Sequence, residues 1–143
     1  MKFVAENEKE FIDKTFEAIK SSIGPGFVLG LVGDLGVGKT TLVKSIAKKL
    51  GSTETVSSPT FVYMREYPIK SKNGINMIRH IDLYRLGEAT ETQSKEIMEW
   101  LKAADALVIV EWADLLKNEK LFDAIVSIDY LDNTGRKVSI IWK

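Results

Sequence analysis

The sequence predicts one α/β domain spanning residues 1–143, with a mainly parallel central sheet flanked by helices and an antiparallel C-terminal hairpin. Three observations carry this reading. Two continuous apolar runs, 27–32 and 106–110, suit strands buried on both faces, as in a parallel sheet. Around them lie segments with apolar residues at three- and four-residue spacing, the mark of helices that cover a sheet. Near the end, 124–130 and 137–142 alternate apolar and polar residues about the turn Asp132-Asn133-Thr134-Gly135.

Taken in order, residues 6–23 read as an amphipathic helix, with Phe11, Ile12, Phe16, Ile19 and Ile23 on one face. Gly24-Pro25-Gly26 stops it. The run 27–32 is the first buried strand, and a Gly-rich turn, 33–38, follows. Residues 39–50 read as a helix whose Leu42, Val43, Ile46, Ala47 and Leu50 share a face, with Gly51 as its stop. Segments 60–67 and 76–83 read as strands joined by the polar loop 70–74. Residues 91–102 read as a helix, and 106–110 as the second buried strand.

Composition narrows the function classes. A chain of 143 residues is the size of one domain. Twenty Lys+Arg balance twenty Asp+Glu, so a stand-alone nucleic-acid binder, normally basic, is disfavoured. There is no Cys and one His, His80, which excludes disulfide scaffolds, thiol nucleophiles and multi-histidine metal sites. No stretch has the roughly 18 apolar residues of a membrane span. The acidic start carries no signal peptide, so the expected address is cytoplasmic, without membrane contact.

Gly33-Asp34-Leu35-Gly36-Val37-Gly38-Lys39-Thr40 fits the phosphate-loop pattern G-x-x-x-x-G-K-[ST] at every fixed position. The glycines let the backbone curl until successive N–H groups face an anion. Lys39 brings a positive charge to the β- and γ-phosphates, Thr40 offers a hydroxyl to Mg²⁺, and the following helix adds its N-terminal partial charge. The expected nucleotide contacts are Asp34, Leu35, Gly36, Val37, Gly38, Lys39, Thr40 and Thr41. A dinucleotide fold is disfavoured because Thr41 stands where its third glycine belongs. No guanine-reading Asn-Lys-x-Asp occurs, and no insert is long enough for a kinase lid. ATP is therefore the expected nucleotide.

Two carboxylates stand at the C-terminal ends of strand-like runs, where open α/β sheets bind ligands. Glu111 follows 106–110 and Asp82 follows 77–81. Either holds Mg²⁺ or orients the attacking water, and the two roles are interchangeable at this level. Lys39, Asp82 and Glu111 form the expected catalytic set, and Thr40, Asp82 and Glu111 the expected metal ligands. His80 shares a strand face with Asp82, and a lone histidine reads first as a structural hydrogen-bond partner. Thr60, in Ser57-Ser58-Pro59-Thr60-Phe61, suits either a γ-phosphate switch or a rigid strand entry. Trp112 either stacks near the nucleotide or packs on the core.

These segments together resemble the TsaE family, small bacterial ATPases of threonylcarbamoyladenosine formation on tRNA. The likeness runs through 33–42, Ser58-Pro59-Thr60-Phe61, His80-Ile81-Asp82-Leu83-Tyr84-Arg85-Leu86 and Glu111-Trp112, across about residues 6–142. After Glu111-Trp112 the family usually continues Pro-Glu, whereas Ala113-Asp114 stands here. The resemblance implies a single phosphate-loop domain that binds ATP with Mg²⁺ and hydrolyses it slowly. It implies action on a heterodimer of two sugar-kinase-like proteins, one of which transfers threonylcarbamoyl to adenosine 37 of tRNA. It also implies that tRNA is met only through that complex. Two other readings stay open on the residues: a small phosphate-loop kinase, and a non-hydrolysing ATP-sensing module.

Overall fold

The structure is a computed structural model that describes residues 1–53, 64–84 and 91–143. Its elements run β1 (Lys2–Ala5), α1 (Glu8–Ile19), β2 (Val28–Gly33), α2 (Lys39–Lys49), β3 (Met64–Lys72), β4 (Ile75–Asp82), α3 (Glu91–Leu101), β5 (Ala106–Glu111), β6 (Ala124–Tyr130) and β7 (Arg136–Trp142). Two short 3-10 helices, Ala113–Leu116 and Glu119–Leu121, bridge β5 and β6. The seven strands form one sheet in the order β1-β7-β6-β2-β5-β4-β3. The middle four, β6, β2, β5 and β4, are parallel. The outer pairings, β1 with β7, β7 with β6 and β3 with β4, are antiparallel. The expected architecture is the one found.

Each face of the sheet has its own core. Leu29, Leu31, Ile78, Leu107, Ile109 and Val126 pack beneath α1 and α2, together with Phe11, Ile19, Leu42 and Ile46. Val28, Ile81, Val108 and Val110 point the other way, onto Ile97, Leu101, Ala113 and Phe122. β2, and β5 up to its last residue, carry no polar side chain because both faces are covered. β5 is buried along its whole length, including its last residue, Glu111.

Several boundaries differ from expectation, each for a local reason. α1 begins at Glu8, because the Asn7 side chain accepts the Glu10 N–H at 2.9 Å as an N-cap. It ends at Ile19, before the expected 23, although Ile23 is still buried. β1 has only two inward positions, Phe3 and Ala5, too few to leave an alternation in the sequence. The loop expected at 70–74 is mostly strand. β3 runs to Lys72, and Asn73 and Gly74, with φ of 54° and 79°, make the tight turn into β4. Pro68 is tolerated because β3 is an edge strand. Residues 60–63 of the expected strand lie outside the described residues.

Candidate functional site

The parallel strands all deliver their C-terminal ends to one edge of the sheet, and the chain turns there from β2 into α2. Gly38, with φ of 123°, is the N-cap of α2 and holds a backbone conformation that side chains rarely adopt. A Cβ at this position would lie 3.0 Å from Phe11 Cε2. Gly36 is also left-handed, with φ of 79°. The loop thus curls around the start of α2, as an anion-binding concavity does.

The loop carbonyls are held from outside. Lys39 Nζ donates to Gly33 O at 2.5 Å and Asp34 O at 2.8 Å. Tyr130 Oη donates to Gly36 O at 2.7 Å, and Arg136 Nε to Val37 O at 2.8 Å. Lys39 is nearly buried and its Nζ lies 4.2 Å from the centre of the Trp112 ring. Burial lowers the Lys39 ammonium below its ordinary value, against the pull of Glu111, Asp82, Asp34 and Asp114.

Beside the loop stand the carboxylates. Asp82 and Glu111 are cross-strand partners at the ends of β4 and β5. Their side chains share the α2 face, since Ile78 and Ile109 in the same alternation pack beneath α1 and α2. Thr40 Oγ1 donates to Glu111 Oε1 at 2.9 Å and lies 3.1 Å from Oε2. His80 Nε2 reaches Glu111 Oε2 at 2.5 Å from behind. His80 is fully buried, and its Nδ1 has no hydrogen-bond partner among the described residues. Asp82 Oδ1 accepts the Tyr84 N–H at 3.0 Å. Burial raises the Asp82 carboxyl above its ordinary value; the Tyr84 N–H opposes this and Glu111 adds to it. Trp112 takes a left-handed backbone, φ 60° and ψ 39°, which folds its ring back over Lys39 and to 4.9 Å from the Tyr84 ring.

The cavity between loop and carboxylates has a volume of about 150 Å³. Leu35, Gly36 and Gly38 line it from the loop, Lys39, Thr40 and Thr41 from α2, and Asp82, Glu111 and Trp112 from the strand ends.

The family model for the threonylcarbamoyl adenosine biosynthesis protein TsaE matches residues 6–138. The chain belongs to the TsaE family. Its role lies in tRNA threonylcarbamoyladenosine biosynthesis. It is 36% identical to the TsaE protein of Haemophilus influenzae over 114 residues, covering 78% of this chain and 67% of that protein. It is 39% identical to that of Bacillus subtilis over 95 residues, covering 66% and 56%. The TsaE protein of Aquifex aeolicus aligns over 145 residues at 34% identity, covering 100% and 98%. The crystal structure of Bacillus subtilis YdiB shares the fold at a TM-score of 0.65 and 26% identity, over 96% of this chain and 82% of that one.

In this TsaE-family chain the structure brings most of the expected site residues together. Two expected contacts, Asp34 and Val37, do not line the cavity. Val37 is buried, and its N–H bonds Asp34 O at 3.2 Å. Thr60 and Arg85 lie outside the described residues. Ala113-Asp114 opens a 3-10 helix, with Ala113 buried and Asp114 exposed. Tyr130 and Arg136 carried no signal in the sequence. They stand about a hundred residues beyond the loop, and only the sheet order brings them to it.

A nucleoside triphosphate with Mg²⁺ fits these residues. Among the described residues no three His, Asp or Glu cluster as a metal cage. Mg²⁺ does not need one, being held ordinarily by one or two carboxylates together with phosphate oxygens and water. No helix among the described residues is long and apolar enough to cross a membrane.

Proposed function

We propose that this TsaE-family protein is a Mg²⁺-dependent ATPase of the cytoplasm. In this reading it supports threonylcarbamoyl transfer to adenosine 37 of tRNA by acting on a transferase heterodimer of two sugar-kinase-like proteins. The observation that carries the proposal is the Thr40–Glu111 contact beside Lys39 and Asp82, at the mouth of the curled loop.

The residues divide the work. Lys39, which donates to the carbonyls of Gly33 and Asp34, would meet the β- and γ-phosphate oxygens of a bound nucleotide, whose negative charge would offset the burial of its ammonium. Thr40 Oγ1 and Glu111 would hold a Mg²⁺ ion, and His80 keeps the Glu111 carboxylate turned towards Thr40. Asp82 shares the ion or orients the attacking water. Bound Mg²⁺ supplies neutralisation of charge on the transferring phosphoryl group.

Two features favour partner dependence. No arginine among the described residues lines the cavity, whereas a cationic finger is worth roughly 10³–10⁵ in phosphoryl transfer. Around the loop and Asp82 stand exposed apolar side chains, Leu35, Tyr84 and Tyr130, of the kind that mark contact surfaces. The chain's zero net charge favours meeting tRNA through that partner.

The test is steady-state phosphate release by the protein alone, then with the matching heterodimer, with and without tRNA. Slow release alone and faster release with the heterodimer are expected. Glu111→Gln should cut release more than ATP binding. Rapid release alone, unchanged by the heterodimer, overturns partner dependence.

A further inference from the structure

We propose that the β6–β7 hairpin is a brace for the phosphate loop, with Arg136 and Tyr130 as positioning residues that set its affinity for nucleoside phosphates. The inference rests on the reading of 33–40 as the phosphate-binding loop. It adds a role for a part of the chain that the site does not otherwise use.

Tyr130 ends β6, Arg136 begins β7, and the two are cross-strand partners. Both lie on the sheet face that carries α1 and α2, in the alternation of Ile128 and Val138. Arg136 Nε donates to Val37 O at 2.8 Å, and Nη1 donates to Gly135 O at 3.1 Å. Its guanidinium carbon lies 4.5 Å from the centre of the Tyr130 ring, whose hydroxyl donates to Gly36 O at 2.7 Å. One stacked pair therefore fixes two consecutive loop carbonyls.

A peptide unit is rigid, so anchoring a carbonyl also fixes the N–H on the other side of the same plane. Gly36 O held by Tyr130 sets the Val37 N–H, which closes on Asp34 O. Val37 O held by Arg136 sets the N–H of Gly38, the residue whose φ of 123° leads into α2. Without the brace, Gly36 and Gly38 have the backbone freedom to turn their peptides away.

Arg136 is 8% exposed and forms no salt bridge with a carboxylate among the described residues. Burial of a charged guanidinium is costly. Asp132 offsets part of that cost, since the Arg136 charge helps to lower its carboxyl, and the bond to Val37 O places the cation at the loop.

The hairpin tip is also tied by Asp132 Oδ1, which accepts the N–H groups of Thr134 at 3.0 Å and Gly135 at 2.6 Å. The Tyr130 hydroxyl is thus not needed to close the turn, whereas Arg136 Nη1 also bonds Gly135 O.

The experiment compares wild type with Tyr130→Phe, Arg136→Lys and Arg136→Met. Tyr130→Phe keeps the ring and loses only the hydroxyl bond. Arg136→Lys keeps the charge and loses the planar stack with its Nε donor. ADP and ATP affinities are measured by calorimetry, and amide exchange across 33–40 is followed without nucleotide. Loss of one such bond predicts affinity weaker by roughly 2–10-fold. Arg136→Met should weaken it further than Arg136→Lys. Exchange should quicken in 34–38 while the melting temperature of Tyr130→Phe stays near wild type.

Wild-type affinity and loop exchange in Tyr130→Phe and Arg136→Lys overturn the brace. So does a fall in stability spread over the whole sheet with unchanged loop exchange. If wild type itself binds neither ADP nor ATP, the phosphate-loop reading fails instead, and the two failures are distinct. Should Arg136→Met not fold, the other two variants decide.

Discussion

His80 Nε2 lies 2.5 Å from Glu111 Oε2, with the two side chains 0% and 3% exposed. The contact pairs an imidazole nitrogen with a carboxylate oxygen, the imidazole tautomer setting which atom donates. Nδ1 lacks a partner among the described residues. The contact turns Glu111 towards Thr40.

His80→Leu leaves Glu111 buried with one donor fewer, whereas His80→Gln restores an N–H at about the same reach. The Leu variant should need more Mg²⁺ for half-maximal ATP binding, and the Gln variant should recover most of the difference. Calorimetry across a Mg²⁺ titration reads this. Equal Mg²⁺ dependence in both variants and wild type would show that His80 does not position Glu111.

Lys39→Ala should lose roughly tenfold or more in nucleotide affinity, since a charge-assisted contact is worth about 1.5–3 kcal/mol. The fold should survive, because the loop carbonyls of Gly36 and Val37 remain held by Tyr130 and Arg136. Circular dichroism and calorimetry on the same sample check both halves.

Asp82→Asn should raise the melting temperature at neutral pH. Burial holds the Asp82 carboxyl above its unfolded-state value, which is about 3.9. At low pH the group is protonated in both states and costs nothing. As pH climbs through the interval between the two values, the unfolded chain ionises first and the folded state loses relative stability. The asparagine is free of that loss and can still accept the Tyr84 N–H. The variant's advantage should appear above the carboxylate range and vanish below it. Melts at a series of pH values decide, and a variant less stable at neutral pH counts against the assignment.

Gly33→Ala should destabilise the protein by about 1–3 kcal/mol through overpacking. A Cβ at Gly33 would meet Ile128 O at 2.6 Å and Val37 Cγ1 at 2.7 Å. The backbone carbonyl of β6 cannot move without disturbing its pairing with β2. Denaturant unfolding measures the loss, and an unchanged midpoint would show that β6 yields.

The sequence by itself determined the elements whose cause is local. Leu42, Val43 and Ile46 announce α2 because a helix repeats every 3.6 residues. The run 106–110 announces β5 because burial on both faces admits no polar residue before its end. The loop 33–40 was legible because its glycines, lysine and threonine fill every fixed position of one eight-residue pattern. Asp82 and Glu111 were legible as strand-end carboxylates. Asn73-Gly74 was a readable turn hidden inside a polar stretch, because β3 ends in the polar run Lys70-Ser71-Lys72. What only the tertiary structure decided is whatever depends on strand order. β6 lies directly beside β2, with β7 beyond it, so Tyr130 and Arg136 reach Gly36 and Val37. β4 lies beside β5, so His80 backs Glu111. β1 exists because β7 offered an edge, since four residues cannot hold a strand alone. Hydrogen bonds between strands couple residues at any separation along the chain, and no local pattern of side chains encodes which strands will be neighbours.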